Sequence, residues 1–598
     1  MKDSQSATFL IAAIKSSAAA VVCRGSAHTA NVEVDRRWHG DHCQVSVSNH
    51  GSMPVAIEEI VAFDLRHRLD GLTQVYGEGF TMLGQLGGTL AEPVDLSYYT
   101  DRKLHRIPEP EDLRTAYGAL LLRLAERQRV LLGAASSHRF AVRFSYDSER
   151  LRVSYDGEGL ILRPGESWQL DELVVLSGTD REPLFDQLAT AIAAHHPRLV
   201  HDVIPTGWCS WYCFGPEVTA DDVKANTRWI AQNLPELRYV QIDDGYQPWM
   251  GDWLDTGEAF GGDVFSVLDD IRAHGLEPAI WVAPFIASPE SRVFAEHPDW
   301  MVQDANGKPL RSDIPGFGGW RQGPWYVLDG THPDVQEHLR SVFTTMRREW
   351  GCTYFKLDAT YWGAIHGGVH HDRDATRIEA YRRGMEAVLR GTGDAFVLGC
   401  NHPLWPSLGL IHGSRSSMDV IAPDWEHLGP VSRETLLRNW QNGRLWWNDP
   451  DVLMLKAPDV AVVDQAGTTH TGDAGSRDTT LRAATVYASG GSVISGDDLH
   501  QAAPTSLTQL EALLPPVGVA ASFQDEQLEI GITTLPDATV FSVFNWTDDP
   551  APRTIQLPPG KQLLTDKLAG QTIGIHEHTY DLGVLPPGTA VVLEARPA

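Results

Sequence analysis

The chain has 598 residues, 42% hydrophobic and 21% charged, ordinary globular values that allow about two to four domains and exclude extensive disorder. Lys and Arg number 49 against 78 Asp and Glu, a formal charge of −29, which argues against a phosphate-neutralising surface and so against nucleic acid as a partner. Six cysteines, at 23, 43, 209, 213, 352 and 400, are too sparse for a disulfide framework or a CxxC metal site.

The first two dozen residues are apolar in part, but Asp3 and Lys15 interrupt the uninterrupted core that a signal peptide needs. No run approaches the ~18 apolar residues of a membrane span, so a cytoplasmic protein with no membrane partner is expected. Residues 1–200 alternate with period two, as in Phe140, Val142, Phe144 and Tyr146, then a polar turn, then Leu151, Val153 and Tyr155. That is a hairpin signature, and further strand-like runs at 43–48 and 170–176 predict an N-terminal β-sandwich.

From 201 to 514 short apolar strands alternate with longer amphipathic helices. Eight strands are predicted, at 207–212, 239–243, 278–283, 354–358, 396–400, 418–422, part of 445–455, and 492–495. Thr219 and Asp222 have capping-box spacing. Thr331 is positioned to cap a helix that opens with Pro333 and Asp334, continues through Val335, Leu339, Val342, Phe343, Met346 and Trp350, and stops at Gly351. Eight such units predict a (β/α)8 barrel, since the Gly-rich phosphate turn of a doubly wound sheet is missing after the first strand; no cofactor is expected. Residues 515–598 return to alternation, with Val540, Ser542 and Phe544, and predict a C-terminal antiparallel β domain. The Asn545-Trp546-Thr547 tripeptide lies in that strand pattern and is read as structure rather than as a glycosylation site.

Residues at the C-terminal ends of barrel strands share one mouth, and this sequence concentrates carboxylates there: Asp243-Asp244, Asp358, Asp419, Asp449 and Asp451, and Asp497-Asp498. Lys356 and Asp358 are two apart on a strand and so share a side, where the ammonium would keep the carboxylate ionised. Arg415 and Asp419, four apart, share a face if that segment is extended. Paired carboxylates among Trp residues, with neither a metal cluster nor a Ser/His/Asp order, point to glycoside hydrolysis, one carboxylate attacking the anomeric carbon and the other protonating the leaving oxygen. That chemistry requires Asp358 and Asp419 to converge within roughly 5–7 Å across one pocket. Trp208, Trp211, Trp281 and Trp362 lie at or beyond strand ends, where an indole either stacks on a sugar or fills the barrel.

The ordered series Gly207-Trp208-Cys209-Ser210-Trp211, Gln241-Ile242-Asp243-Asp244-Gly245-Tyr246, His297-Pro298-Asp299-Trp300, Lys356-Leu357-Asp358, Gly399-Cys400 with Pro403-Leu404, and Arg415-Ser416-Ser417-Met418-Asp419 resembles the α-galactosidases of glycoside hydrolase family 36. Trp447-Asn448-Asp449-Pro450-Asp451 is similar to a segment of the related family 27. The resemblance implies a retaining α-glycosidase with Asp358 as nucleophile and Asp419 as acid/base. It implies that Asp243 and Asp244 hold the 4- and 6-hydroxyls of a galactose-configured ring. It also implies that Lys356 and Arg415 contact ring hydroxyls, that Trp208, Trp211 and Trp281 wall the pocket, and that an N-terminal loop, for which Gly77-Glu78-Gly79-Phe80 is the candidate, reaches the mouth.

After Cys400 the family usually has small residues, whereas Asn401 and His402 follow here. That strand end faces the sugar's 2-substituent in the family, so Cys400 and Asn401 are counted with the substrate-binding residues. α-N-Acetylgalactosaminidase, β-L-arabinopyranosidase and transglycosylase activity stand as alternatives on the same scaffold. The loop 301–326, with Arg311, Asp313, Trp320, Arg321 and Trp325, either shapes the leaving-group subsite or is a surface insertion. His366, His370, His371 and Asp372 lie in a Gly-containing loop read as solvated rather than metal-binding, and Cys209 and Cys213 are read as free thiols. The expected partner is an oligosaccharide or other glycoside, with a homo-oligomer left open.

Overall fold

The computed structural model describes residues 6–598 except 25–30, 125–126, 422–424, 456–461, 464–468, 471–475, 502–506, 524 and 526. N-terminal antiparallel sheets precede a curled parallel sheet, and a six-stranded antiparallel sheet closes the chain. The hairpin read from alternation pairs Val142 with Tyr155, Phe144 with Val153 and Tyr146 with Leu151, all six buried. In the C-terminal sheet Asn545 is wholly enclosed, and its amide donates to the carbonyls of Asp549, Leu585 and Pro586, so its side chain is spent on the fold.

The barrel strands are, in order, Thr206–Cys209, Tyr239–Ile242, Glu277–Val282, Tyr354–Leu357, Phe396–Gly399, Gly413–Arg415, Trp447–Asp449 and Val493–Ser495, every neighbouring pair parallel. Closure depends on a break in strand seven. Trp447–Asp449 pairs with strand six, and the chain resumes as Val452–Leu453 to pair with strand eight. Asp451, at the break, has φ +74°. Arg482 caps the interruption by donating to the carbonyls of Pro450 and Val452.

Two sequence expectations are corrected. Strand six is Gly413–Arg415, not 418–422. The apolar Met418, Val420 and Ile421 are buried in the loop beyond the strand, whereas the strand is set by ladder pairing to Leu398 and Gly399 on one side and Trp447–Asp449 on the other, which apolar periodicity does not report. The helix Pro333–Arg348 is capped by His332, whose Nδ1 accepts from the Asp334 N–H at 3.2 Å, while Thr331 turns its hydroxyl to Asp329. The Thr219/Asp222 capping box forms as read.

The N-terminal domain is fastened to the barrel at the level of the strand ends. Phe80 and Met82 exchange backbone hydrogen bonds with Leu404 and His402, just beyond strand five. The loop they sit on folds back so tightly that a Cβ on Gly79 would lie 2.5 Å from the Gly84 Cα, so glycine is required there. Behind it Arg438 and Glu78, both 0% exposed, pair at 2.9 Å. The same guanidinium donates to the carbonyls of Met82, Gly84 and Ser416, and Glu78 also accepts from Tyr76 and Gln441. Removing one partner of such a pair leaves an uncompensated buried charge. Arg438→Met is therefore expected to lower unfolding free energy by about 3–5 kcal/mol, read by urea denaturation; a loss within the ~0.5 kcal/mol of an ordinary surface change would contradict it.

Candidate active site

Strand four ends by aiming Asp358 at the barrel mouth. The residue is 7% exposed, and every polar partner it has is a donor: Trp281 Nε1 to Oδ2 at 3.1 Å, and the Ala359 N–H and Asn401 Nδ2 to Oδ1 at 2.6 and 2.8 Å. Among the described residues its hydrogen bonds are all accepted ones, a set that suits an acceptor carboxylate. The backbone holding it is unusual, since Ala359 and Asn401, non-glycine residues just past strands four and five, take φ of +51° and +42°. Tyr361 N–H donates to the Asn401 carbonyl at 2.9 Å and ties the two ends together.

The expected Lys356–Asp358 pairing does not form. Although the two residues share a side of the strand, Lys356 Nζ lies 2.9 Å from Asp243 Oδ2, both side chains under 5% exposed. Asp243 follows strand two and Lys356 lies on strand four, so the contact passes over the end of strand three. Burial opposes the charge on Lys356, but the Asp243 carboxylate outweighs it and keeps the amine protonated. Asp243 also accepts from Gln241 at 2.6 Å and from the Asp244 N–H at 2.9 Å.

Asp244 is closed by the long loop. Arg321 reaches both of its oxygens, Trp320 Nε1 approaches at 3.4 Å, and Gln247 donates at 2.7 Å. Loop 301–326 thus contributes two side chains to the mouth and is more than a surface insertion. Arg311 and Asp313 instead pair with each other at its exposed edge.

Arg415, at the end of strand six, makes three ion pairs: Nη1 to Asp419 at 2.7 Å, Nε to Asp449 at 3.1 Å and Nη2 to Asp451 at 3.0 Å. The Arg415–Asp419 contact arises across a loop turn rather than along an extended face. Burial raises the Asp419 carboxyl to about 6; Arg415 and Lys356 pull it back, and the negative charges of Asp451 and Asp358 push it further up. Asp419 keeps 26% of its side chain exposed, so it can exchange a proton with solvent or ligand. Asp451 is held low by Arg415 and a 2.6 Å hydrogen bond from Tyr212, against its burial. Cys400, beyond strand five, is 1% exposed. Its thiol is held neutral by burial.

Of the three walling tryptophans, Trp281 touches Asp358 and stands 6.4 Å from Trp320, ring to ring. Trp208 is fully enclosed, its N–H on the Asp497 carbonyl at 2.7 Å, so it underlies the mouth. Trp211 is half-buried in the short helix Trp211–Phe214 beyond strand one. Asp497 and Asp498 serve structure: Asp497 accepts from the Leu455 N–H and Asp498 from Asn226. The histidine run diverges, His370 to Asp329, His366 to the Tyr361 hydroxyl and His371 against His332. All six cysteines are free. Among the described residues no helix is long and apolar enough to cross a membrane.

Sequence reasoning missed the role of Arg321 as the partner of Asp244 and that of Lys356 as the partner of Asp243. The presence of one cation per carboxylate pair was the available signal; which carboxylate each would choose was not.

Residues 240–389 match the melibiase family. A 178-residue stretch is 28% identical to the A type blood alpha-D-galactosamine galactosaminidase of Flavonifractor plautii, covering 28% of this chain and 16% of that protein. Matches to this and two further curated relatives span only 16–27% of their lengths. Among solved structures, the α-galactosidase TtGalA of Thermus thermophilus, in complex with p-nitrophenyl α-D-galactopyranoside, superposes with a TM-score of 0.61 at 21% identity over 85% of this chain and 97% of that one. The family 36 α-galactosidase AgaA of Geobacillus stearothermophilus does so at 0.64 and 13% identity over 95% and 81%; both likenesses are of fold. The melibiase match runs from strand two, with Asp243 and Asp244, through Lys356 and Asp358 on strand four, so the part of the chain that resembles that family is the part that carries these four candidate site residues.

Proposed function

We propose that the protein is a retaining α-galactosidase that removes terminal α-linked galactose by double displacement. One observation carries the reading: the hydrogen-bond partners of Asp358 are all donors, while Asp419 is lifted to about 6 with the Asp358 charge among the causes, the division of labour that a nucleophile and a general acid need. Asp358 attacks the anomeric carbon while Asp419 gives its proton to the leaving oxygen, forming a glycosyl ester. Asp419, now ionised and stabilised by Arg415, takes a proton from water, which attacks the same carbon and returns Asp358 as carboxylate. Asp243 with Lys356, and Asp244 with Arg321, offer paired acceptors and donors for ring hydroxyls, Arg415 contributes beside the acid, and Trp281 and Trp211 supply apolar wall.

A second reading rests on Asp244. Its carboxylate accepts from Arg321 twice, Trp320 and Gln247, about the number of donors that two oxygens accommodate. A group meant for a 6-hydroxyl is thereby already satisfied, which favours a ring lacking the hydroxymethyl, as in a β-L-arabinopyranoside.

An aryl-glycoside panel decides between them. p-Nitrophenyl α-galactoside is expected to be the preferred substrate, hydrolysed with retention seen by proton NMR in the first turnovers, and Asp358→Asn is expected to lose on the order of 10³-fold or more in kcat. Inverted product rejects the assignment of Asp358. Preference for the arabinopyranoside selects the second reading, and in that case Arg321→Ala should shift the ratio back toward the galactoside by ~10-fold, the equivalent of ~1.4 kcal/mol.

The pH profile tests Asp419 separately. Because the acid must carry its proton, kcat/KM on a galactoside with a poor leaving group is expected to fall about tenfold per pH unit above about 6, and Asp419→Asn is expected to abolish that limb along with most of the activity. A profile flat from about pH 5 to about pH 8 would rule out Asp419 as the acid.

A further inference from the structure

The loop that carries Asp419 has no regular secondary structure from Ser416 to Ile421, so its backbone groups need partners elsewhere, and several of those partners are side chains. The Met418 N–H donates to Glu434 Oε2 at 3.4 Å and the Val420 N–H to Asp451 Oδ2 at 2.7 Å. The groups on either side of the Val420 N–H converge on one ring nitrogen. His427 Nε2 lies 2.8 Å from the Asp419 carbonyl oxygen and 3.2 Å from the Ile421 nitrogen, whose N–H points at it. Nε2 serves one of them at a time, donating to the carbonyl when it carries a hydrogen and accepting from the N–H when it does not. Lysine or arginine could only donate there, whereas an imidazole is matched to both. His427 stands in the first turn of the helix Trp425–Leu437, which is itself anchored. Trp425 stacks on Trp546 of the C-terminal domain, ring centres 6.4 Å apart, and donates to Asp548 at 3.3 Å, and Arg433 donates to the Gln527 carbonyl.

We infer that His427 is a positioning residue for Asp419, acting on the proposed reaction through the backbone of the acid rather than by touching substrate. Asp419 keeps 26% of its side chain exposed, and Arg415 ties its carboxyl at 2.7 Å. That ion pair fixes the distance to the guanidinium, but proton delivery also needs the carboxyl aimed at the leaving oxygen within hydrogen-bond reach. A bond to the carbonyl of Asp419, or to the N–H two residues on, holds the backbone from which the carboxyl projects. A misplacement of about 1 Å costs on the order of 10²-fold in a step that depends on such alignment. The consequence is selective, because a general acid matters most where the leaving oxygen is basic. A loosened Asp419 therefore slows the loss of an alkoxide or sugar and spares a dinitrophenolate, which departs without a proton.

The inference rests on the glycosidase reading above, and the experiment is chosen so that the two fail differently. His427→Leu removes the nitrogen and keeps a side chain of similar bulk, while His427→Gln brings an amide N–H and C=O to the same place. For each, kcat/KM is measured on a methyl and a dinitrophenyl glycoside of the sugar that the aryl-glycoside panel selects, in one protein sample, so that any unfolded fraction cancels in the ratio. His427→Leu is expected to lose at least about tenfold more on the methyl than on the dinitrophenyl glycoside, in kcat rather than KM, and His427→Gln to restore the parent ratio to within about threefold. If the leucine variant does not fold, His427→Asn, polar but one methylene shorter than glutamine, replaces it with the same expected selectivity. An equal loss on both glycosides, no loss on either, or a glutamine variant as selective as the leucine one overturns the inference. Asp419→Asn is measured alongside. If its own loss is selective and that of His427→Leu is not, the role of His427 falls alone; if its loss is not selective, the assignment of Asp419 as the acid falls and takes the inference with it.

Discussion

One guanidinium governs the catalytic end of the barrel. Arg415 carries Asp419, Asp449 and Asp451 on its three nitrogens, and these carboxylates belong to different parts of the architecture. Asp449 ends strand seven, Asp451 stands at the break that lets that strand resume against strand eight, and Asp419 lies in the loop after strand six. Asp451 also takes the Tyr212 hydroxyl and the Val420 N–H at 2.6 and 2.7 Å, joining the end of strand one to the acid's own loop. Closing the barrel and placing the proposed acid, Asp419, are therefore one electrostatic problem. Three carboxylates around one buried cation leave an excess of negative charge that Arg482, 1% exposed, offsets only in part. Asp419, the most accessible of the three, is the one whose carboxyl rises, to about 6, with burial as the first cause and the Asp451 charge adding to it.

The side of Asp358, the proposed nucleophile, is fixed by backbone geometry instead. Ala359 and Asn401 occupy the left-handed region without being glycine, at a cost of about 1–3 kcal/mol each, which persists only where surroundings over-determine it. Here they do. Asn401 is gripped through its carbonyl by Tyr361, its successor His402 through its carbonyl by Met82 of the N-terminal loop, and that loop in turn by Arg438. Because Arg438 also binds the Ser416 carbonyl, three residues before Asp419, one buried side chain touches the supports of both carboxyls. The N-terminal domain thus acts as part of the active-site framework rather than as an appendage.

The fold was legible in the sequence wherever side-chain periodicity sets the structure. The hairpin of Phe144 and Val153, the capping box at Thr219 and the helix through Leu339 and Phe343 all follow from patterns that burial enforces. Strand six was not legible, because Gly413-Ser414-Arg415 carries no apolar alternation and exists through pairing on both sides, while the apolar Met418 and Val420 nearby are buried in a loop. At the candidate site, residue types and strand-end positions singled out Asp358, Asp419, Asp243 and Asp244. The pairings did not follow, since same-strand spacing says which side Lys356 occupies but not that Asp243, across the barrel, competes for it.

The charge arrangement also bears on what kind of ligand the mouth admits. Asp243 and Asp244 are each matched by a cation before any ligand arrives, Lys356 for one and Arg321 for the other. A charged ligand would have to break such a pair and leave one member buried and unmatched, a cost of several kcal/mol. A hydroxyl faces no such barrier, because it both donates and accepts. The carboxylate Oδ1 of Asp243 takes only the Asp244 N–H, and the Lys356 ammonium, with three protons, spends one on Asp243, so a hydroxyl can enter between them while the ion pair stays whole. A neutral hydroxyl is therefore easier to admit beside these internal neutralisations than a charged group, and on the proposed reading selectivity falls to geometry at Asp244 and Asn401.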